Sequence, residues 1–203
     1  MIDFSQFVEF ITNPKALIAT FGLVGIITIV FLETGFFFGF FFPGDSLLFT
    51  AGLLASQGYL SLPLLLVGVF LASVAGDSVG YSFGKRVGPT LFTKDDSLLF
   101  KKENIAKAQH FYEKYGRRTI VLARFMPIIR TFAPIVAGIG SMPYKTFLSY
   151  NLIGGFVWTF GVIGLGYVFG TVIPDPDKYL LPAIVLIVIL SAAPALREIF
   201  RKR

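Results

Sequence analysis

Residues 33–54 read ETGFFFGFFFPGDSLLFTAGLL. Six of the seven residues from Phe36 to Phe42 are phenylalanine, yet Glu33 opens the stretch and Pro43-Gly44-Asp45 interrupts it. Length suggests why. As helix, residues 36–42 would cover about 10 Å and residues 46–55 about 15 Å, each well short of a hydrocarbon core roughly 30 Å thick. Ser56-Gln57-Gly58-Tyr59 then reads as a turn. Two half-membrane stretches joined by Pro-Gly-Asp describe a re-entrant helical hairpin over residues 36–57.

The rest of the chain supplies the membrane. Of 203 residues, 55% are hydrophobic and only 15% charged, against about 25% charge in soluble domains. Several apolar runs reach the roughly 20 residues that cross a bilayer. The sequence predicts an all-α integral membrane protein of one domain. An interfacial helix is expected over residues 1–15, with spans at 16–35, 61–84, 144–170 and 179–196. The N-terminus has early acids and no basic region, so it does not read as a cleavable signal. Residues 85–118 form a polar loop with an amphipathic helix near 102–115, and residues 197–203 a basic tail. The net charge of +6 is explained by basic cytoplasmic loops rather than by nucleic acid.

Charge distribution orients these pieces. The loop 85–118 holds nine Lys/Arg against four Asp/Glu, and the tail four against one. Both belong on the cytoplasmic side. A full crossing by residues 119–140 would strand the tail outside. A second re-entrant segment there, broken at Pro127 and Pro134, keeps both basic stretches inside and puts both termini in the cytoplasm. The two broken segments then dip in from opposite faces. That is an inverted repeat, whose broken helices meet near the midplane at a substrate site. Its internal sequence signature is weak: each half carries charge beside proline and ends in Ala-Gly, at Ala51-Gly52 and Ala137-Gly138.

Five ionisable residues fall at membrane depth: Glu33, Asp45, Asp77, Arg124 and Arg130. An Asp or Arg at a helix centre costs on the order of 3 kcal/mol by insertion scales, and such residues pair with one another or with a substrate. A helix break at Pro127 lets Arg124 and Arg130 turn toward one centre, where two guanidinium forks suit a phosphate. The alternative is that they only neutralise Glu33 and Asp45. Asp45 is placed to cap a helix after Pro43-Gly44, alone or together with ion handling. Glu33 has no capping role and is a candidate proton or cation carrier, or else an interfacial acid. Asp77 lies in a small-residue stripe of Gly76, Gly80, Gly84 and Gly88, which points to close helix packing with Asp77 bonded across it. The phenylalanine run is lipid-facing bulk or a grip on a lipid chain.

Other chemistries lack parts. There is one histidine, His110, and no cysteine. No Walker loop, Gly-x-Ser-Gly or His/Cys metal cluster is present. No enzymatic activity, cofactor or metal is expected.

Glu33 with PGD (43–45), GDSVGYSFG (76–84), RFMPIIRTFAPIVAG (124–138) and NLIGGFVW (151–158) resemble the DedA family of bacterial membrane proteins, whose wider grouping is the VTT or SNARE-associated domain. The resemblance covers roughly residues 15–170. It implies a place in the bacterial cytoplasmic membrane and a part in membrane homeostasis. It also implies translocation of a phosphorylated lipid, undecaprenyl phosphate in bacteria and phospholipids in eukaryotic relatives. Glu33 and Asp45 match the family's essential acids, and Arg124 and Arg130 its essential arginines.

The sequence reading is therefore a lipid transporter with two opposed re-entrant hairpins. Arg124 and Arg130 bind phosphate, Glu33 and Asp45 couple protons or monovalent cations, and Pro43, Gly44, Asp77, Pro127 and Pro134 support the site. The partners expected are a polyprenyl phosphate or phospholipid and the coupling ion, with no nucleic acid. Oligomeric state is open, a homo-oligomer included. The rival readings are a proton-coupled small-solute or ion antiporter and a structural membrane organiser with a static charge core.

Overall fold

The computed structural model describes residues 14–35, 44–91, 116–173 and Pro182. The phenylalanine run, the amphipathic stretch near 102–115, most of the span expected at 179–196 and both terminal segments lie outside the described residues. The described residues are helical and contain no strand. In order they form α1 (Pro14–Gly35), α2 (Gly44–Ser56), α3 (Leu62–Leu91), a 3-10 turn (Gly116–Arg118), α4 (Thr119–Leu122), a second 3-10 turn (Ala123–Phe125), α5 (Pro127–Ile139) and α6 (Tyr144–Val172).

Among the described residues, two helices are long and apolar enough to cross a membrane, Leu62–Val87 within α3 and Tyr144–Val172. Their outer faces expose Leu64, Val67, Leu71, Ile153, Phe156 and Leu165. Such side chains suit lipid, where the backbone must be satisfied inside the helix itself. α3 continues past the expected end at residue 84, through Lys85 and Arg86.

The helix expected to run unbroken over 16–35 does not. Gly22 has φ 57° and ψ −152°, which breaks α1 and leaves Gly22–Gly35 as a short apolar helix of about 20 Å. A left-handed backbone at a single glycine leaves no trace in hydrophobic periodicity. The arm packed against α2 is this piece of α1: Ile26 and Val30 share a core with Leu47, Leu48 and Leu53.

α1 and α3 run in the same direction, since Ile27 meets Gly68 while Phe31 and Thr34 meet Gly76. α3 and α6 run oppositely: Phe147 stacks on Tyr81, Asn151 bonds to Val74, and Gly155 approaches Phe70. Each of these long helices carries one short helix. α5 lies along the second half of α3, and α2 along the second half of α6. The contacts are backbone-close and reciprocal. A Cβ on Gly84 would lie 2.1 Å from the Ile135 carbonyl oxygen, and one on Gly138 2.2 Å from that of Tyr81. At the other crossing, a Cβ on Gly52 would lie 2.1 Å from the Ile163 carbonyl oxygen and one on Gly166 2.0 Å from that of Phe49. Gly84 and Gly166 stand at the same position of α3 and α6, counted from Leu62 and Tyr144. Only hydrogen at Cα allows helices this near.

The segment from Gly116 to Ile139 turns back on itself. Ile120 at its start and Ala137 and Met142 at its end share one cluster with Tyr81 and Phe147. The Tyr81 hydroxyl donates to the Met142 carbonyl at 2.5 Å. The turn falls at Met126 (φ −127°, ψ 106°), as the residue before a proline favours extended backbone. Pro127 begins α5 at a position that tolerates it. Pro134, expected to help break the segment, sits inside α5 instead.

Candidate functional site

The ends of the short helices carry the charges inward. Glu33 is near the end of α1, Asp45 is in the first turn of α2, Arg124 precedes the Met126 turn, and Arg130 follows it. Asp77 and Trp158 come from the middles of α3 and α6, and Asn151 from the first third of α6. Glu33, Asp77, Arg124, Arg130, Asn151 and Trp158 are all buried, while the Asp45 side chain keeps 17% of its surface.

The arginines hold different partners. Arg130 Nη1 donates to Asp45 Oδ1 at 3.1 Å, and its Nη2 donates to Glu33 Oε1. Trp158 Nε1 donates to the same Asp45 oxygen at 2.8 Å. Arg124 Nη2 donates to Asp77 Oδ2 and to Asn151 Oδ1, both at 2.5 Å. The Asn151 amide nitrogen donates to the Val74 carbonyl at 3.1 Å, tying α6 to α3. Trp158 joins the two groups: the guanidinium carbons of Arg124 and Arg130 lie 5.9 and 5.3 Å from its ring centroid, within cation–π range.

Three carboxylates thus face two guanidiniums. Among the described residues, Arg124 Nε and Nη1, Glu33 Oε2 and Asp77 Oδ1 are buried without a hydrogen-bond partner. Unmet donors and acceptors at such depth cost on the order of 1–3 kcal/mol each. A site left in that condition is suited to a charged visitor that satisfies them.

Most residues singled out in the sequence converge here. Glu33, Asp45, Asp77, Arg124 and Arg130 form the cluster. Gly44 presses on Glu33, for a Cβ there would lie 2.0 Å from Oε2. Asp45 lies in the first turn of α2 and pairs with Arg130. Asp77 does bond across a helix contact, and its partner is Arg124. Pro134 packs at Gly80, away from these pairs, and Pro43 lies outside the described residues. The alternative in which both arginines only neutralise Glu33 and Asp45 is corrected in one respect: Arg124 pairs with Asp77. The six-residue spacing does not reveal this division, because it depends on which helix each guanidinium faces after the Met126 turn.

The sequence pattern assigns no role to Asn151, Gly154 and Trp158. The signals were present: a lone amide in an apolar span acts as interhelical glue, and a buried indole N–H needs an acceptor. Gly154 clears the path of Arg124, since a Cβ there would come 3.1 Å from Arg124 Cδ and 3.2 Å from Nε.

The fold and site define a helical membrane protein with a buried, partly unsatisfied charge cluster. Residues 42–168 match the VTT domain. The chain is 40% identical to Protein DedA of Escherichia coli K12, over 100% of this chain and 94% of that protein. It is 41% identical to a membrane protein of Mycobacterium leprae, over 91% and 82% respectively. The inner membrane protein YqjA of Escherichia coli K12 is 28% identical over 82% of this chain and 74% of its own length. No solved structure matches the chain. The chain belongs to the DedA family of membrane proteins and carries its VTT domain.

Proposed function

We propose that this protein transports a phosphorylated lipid across the bacterial cytoplasmic membrane, with undecaprenyl phosphate as the substrate that best fits. The observation that carries the reading is Arg124, a buried guanidinium with two unpartnered nitrogens beside a second arginine held by two acids. Guanidinium forks are matched to phosphate oxygens. Glu33 and Asp45 hold Arg130 while the site is empty. When a phosphate takes Arg130, these acids need a proton or monovalent cation, which couples the cycle to an ion.

The architecture supporting this is an inverted repeat. Gly22–Gly35 with α2 forms one re-entrant hairpin, and Gly116–Phe125 with α5 forms the other. With the basic loop 85–118 cytoplasmic, α3 runs inward and α6 outward. The first hairpin then opens to the outer face and the second to the cytoplasm. Their charged tips meet between α3 and α6, the arrangement expected of alternating access. In this frame Gly22 lies toward the outer face. A cytoplasmic N-terminus needs a crossing ahead of Gly22, which the short arm does not supply.

The excess of carboxylates over guanidiniums favours a second reading, a proton-coupled antiporter of small ions or solutes. Reconstitution into liposomes separates the two. The lipid reading expects saturable movement of a labelled polyprenyl phosphate, altered by a pH gradient. Ion movement with no polyprenyl phosphate transport above protein-free liposomes would overturn it in favour of the antiporter.

A further inference from the structure

The two arginines differ in one respect that the phosphate reading does not require. Arg130 is held by two carboxylates, Glu33 and Asp45. Arg124 is held by one carboxylate, Asp77, and one neutral amide, Asn151. Their partners come from different helices, so either guanidinium can change partner without the other. The Asn151 orientation is fixed from both sides: its oxygen accepts from Arg124 while its nitrogen donates to Val74. An aspartate at this position would have the same shape and would give Arg124 a second carboxylate, making its group net negative as that of Arg130 is.

We infer that Asn151 is a specificity-determining residue that makes Arg124 the first acceptor of the anion: its neutral amide leaves that guanidinium with a single carboxylate and two open nitrogens, while Arg130 becomes available only after its two acids let go. The inference rests on the phosphate reading and orders its steps. An incoming phosphate meets Arg124 Nε and Nη1, which have no partner to surrender. Contact with Arg130 follows, at the expense of Glu33 and Asp45. Trp158 lies against both guanidiniums and bonds to Asp45, so each step changes its surroundings. It is the only tryptophan in the chain.

The test is a titration of Trp158 emission in the full chain, purified into nanodiscs. The probes are inorganic phosphate, farnesyl monophosphate and farnesol. The wild-type protein should show a saturable emission change with the phosphates and none with farnesol. Asn151→Asp should weaken phosphate binding by at least about tenfold, because a second carboxylate repels the anion and occupies Arg124. Asn151→Ala removes the amide without adding charge, and should lose less phosphate affinity than Asn151→Asp. The Asp variant is titrated over a range from about pH 6 to about pH 9, well above the ordinary aspartate range, so that the added carboxyl is tested in its charged form.

Equal binding by Asn151→Asp and wild type over the whole range overturns the inference, as does no phosphate binding by the wild type. Equal loss in the Asp and Ala variants, tracking reduced thermal stability, also overturns it and leaves Asn151 a helix tie. If inorganic phosphate binds, Asn151→Asp removes it and the farnesyl chain adds no affinity, the inference stands while the lipid reading falls.

Discussion

Removing both sides of the Arg124–Asp77 pair should cost clearly less than the sum of removing each alone. The contact is direct at 2.5 Å and both side chains are almost wholly buried. Opposite unit charges about 4 Å apart attract by about 4 kcal/mol at an effective dielectric of about 20. Deleting one partner of a buried pair costs about 3–5 kcal/mol, because the other charge is left uncompensated. Asp77→Asn keeps an acceptor for Arg124, so its cost should fall near 3 kcal/mol at the lower end of that range. Arg124→Met strands Asp77, whose Oδ1 is already without a partner, and should cost about 4–5 kcal/mol. The double variant removes both charges, and a coupling of about 2–3 kcal/mol should return as stability. The assay is a double-mutant cycle of unfolding in detergent micelles, followed by Trp158 emission. The double variant should be folded yet inactive in transport, because the free guanidinium nitrogens are gone. Additive single costs, or an Asp77→Asn cost below about 0.5 kcal/mol, would refute the pairing and the charge accounting built on it.

Three further outcomes follow from the same geometry. Arg124→Lys and Arg130→Lys keep charge but lose the planar fork; both should lose most transport at normal expression, and wild-type rates in either would remove the phosphate clamp. Glu33→Gln should still bind substrate but lose its response to a pH gradient in liposomes; an unchanged response would move ion coupling to Asp45. Single cysteines can be added to a chain that has none: an impermeant reagent applied outside should reach Gln57→Cys but neither Lys114→Cys nor Tyr144→Cys, and labelling of Tyr144→Cys alone of the last two would break the opposed-hairpin topology.

The sequence by itself determined the membrane class, because apolar length and scarce charge are sums over residues and need no contacts. It also exposed Glu33, Asp45, Asp77, Arg124 and Arg130, since any ionisable group in an apolar run stands out by its cost. Pro127 gave the turn at Met126 for a local reason, the restricted backbone at and before proline. What only the tertiary structure decided is which charge meets which. Asp77 is far from Arg124 along the chain, and they meet because α5 lies along α3 through Gly84 and Gly138. The break at Gly22 was equally hidden, for glycine permits a left-handed turn without announcing one. Asn151 and Trp158 begin and end the NLIGGFVW motif, but the motif assigns neither a role. Their part emerges only where the helix crossings bring an amide and an indole against two guanidiniums, because a hydrogen bond depends on position and direction as well as residue type.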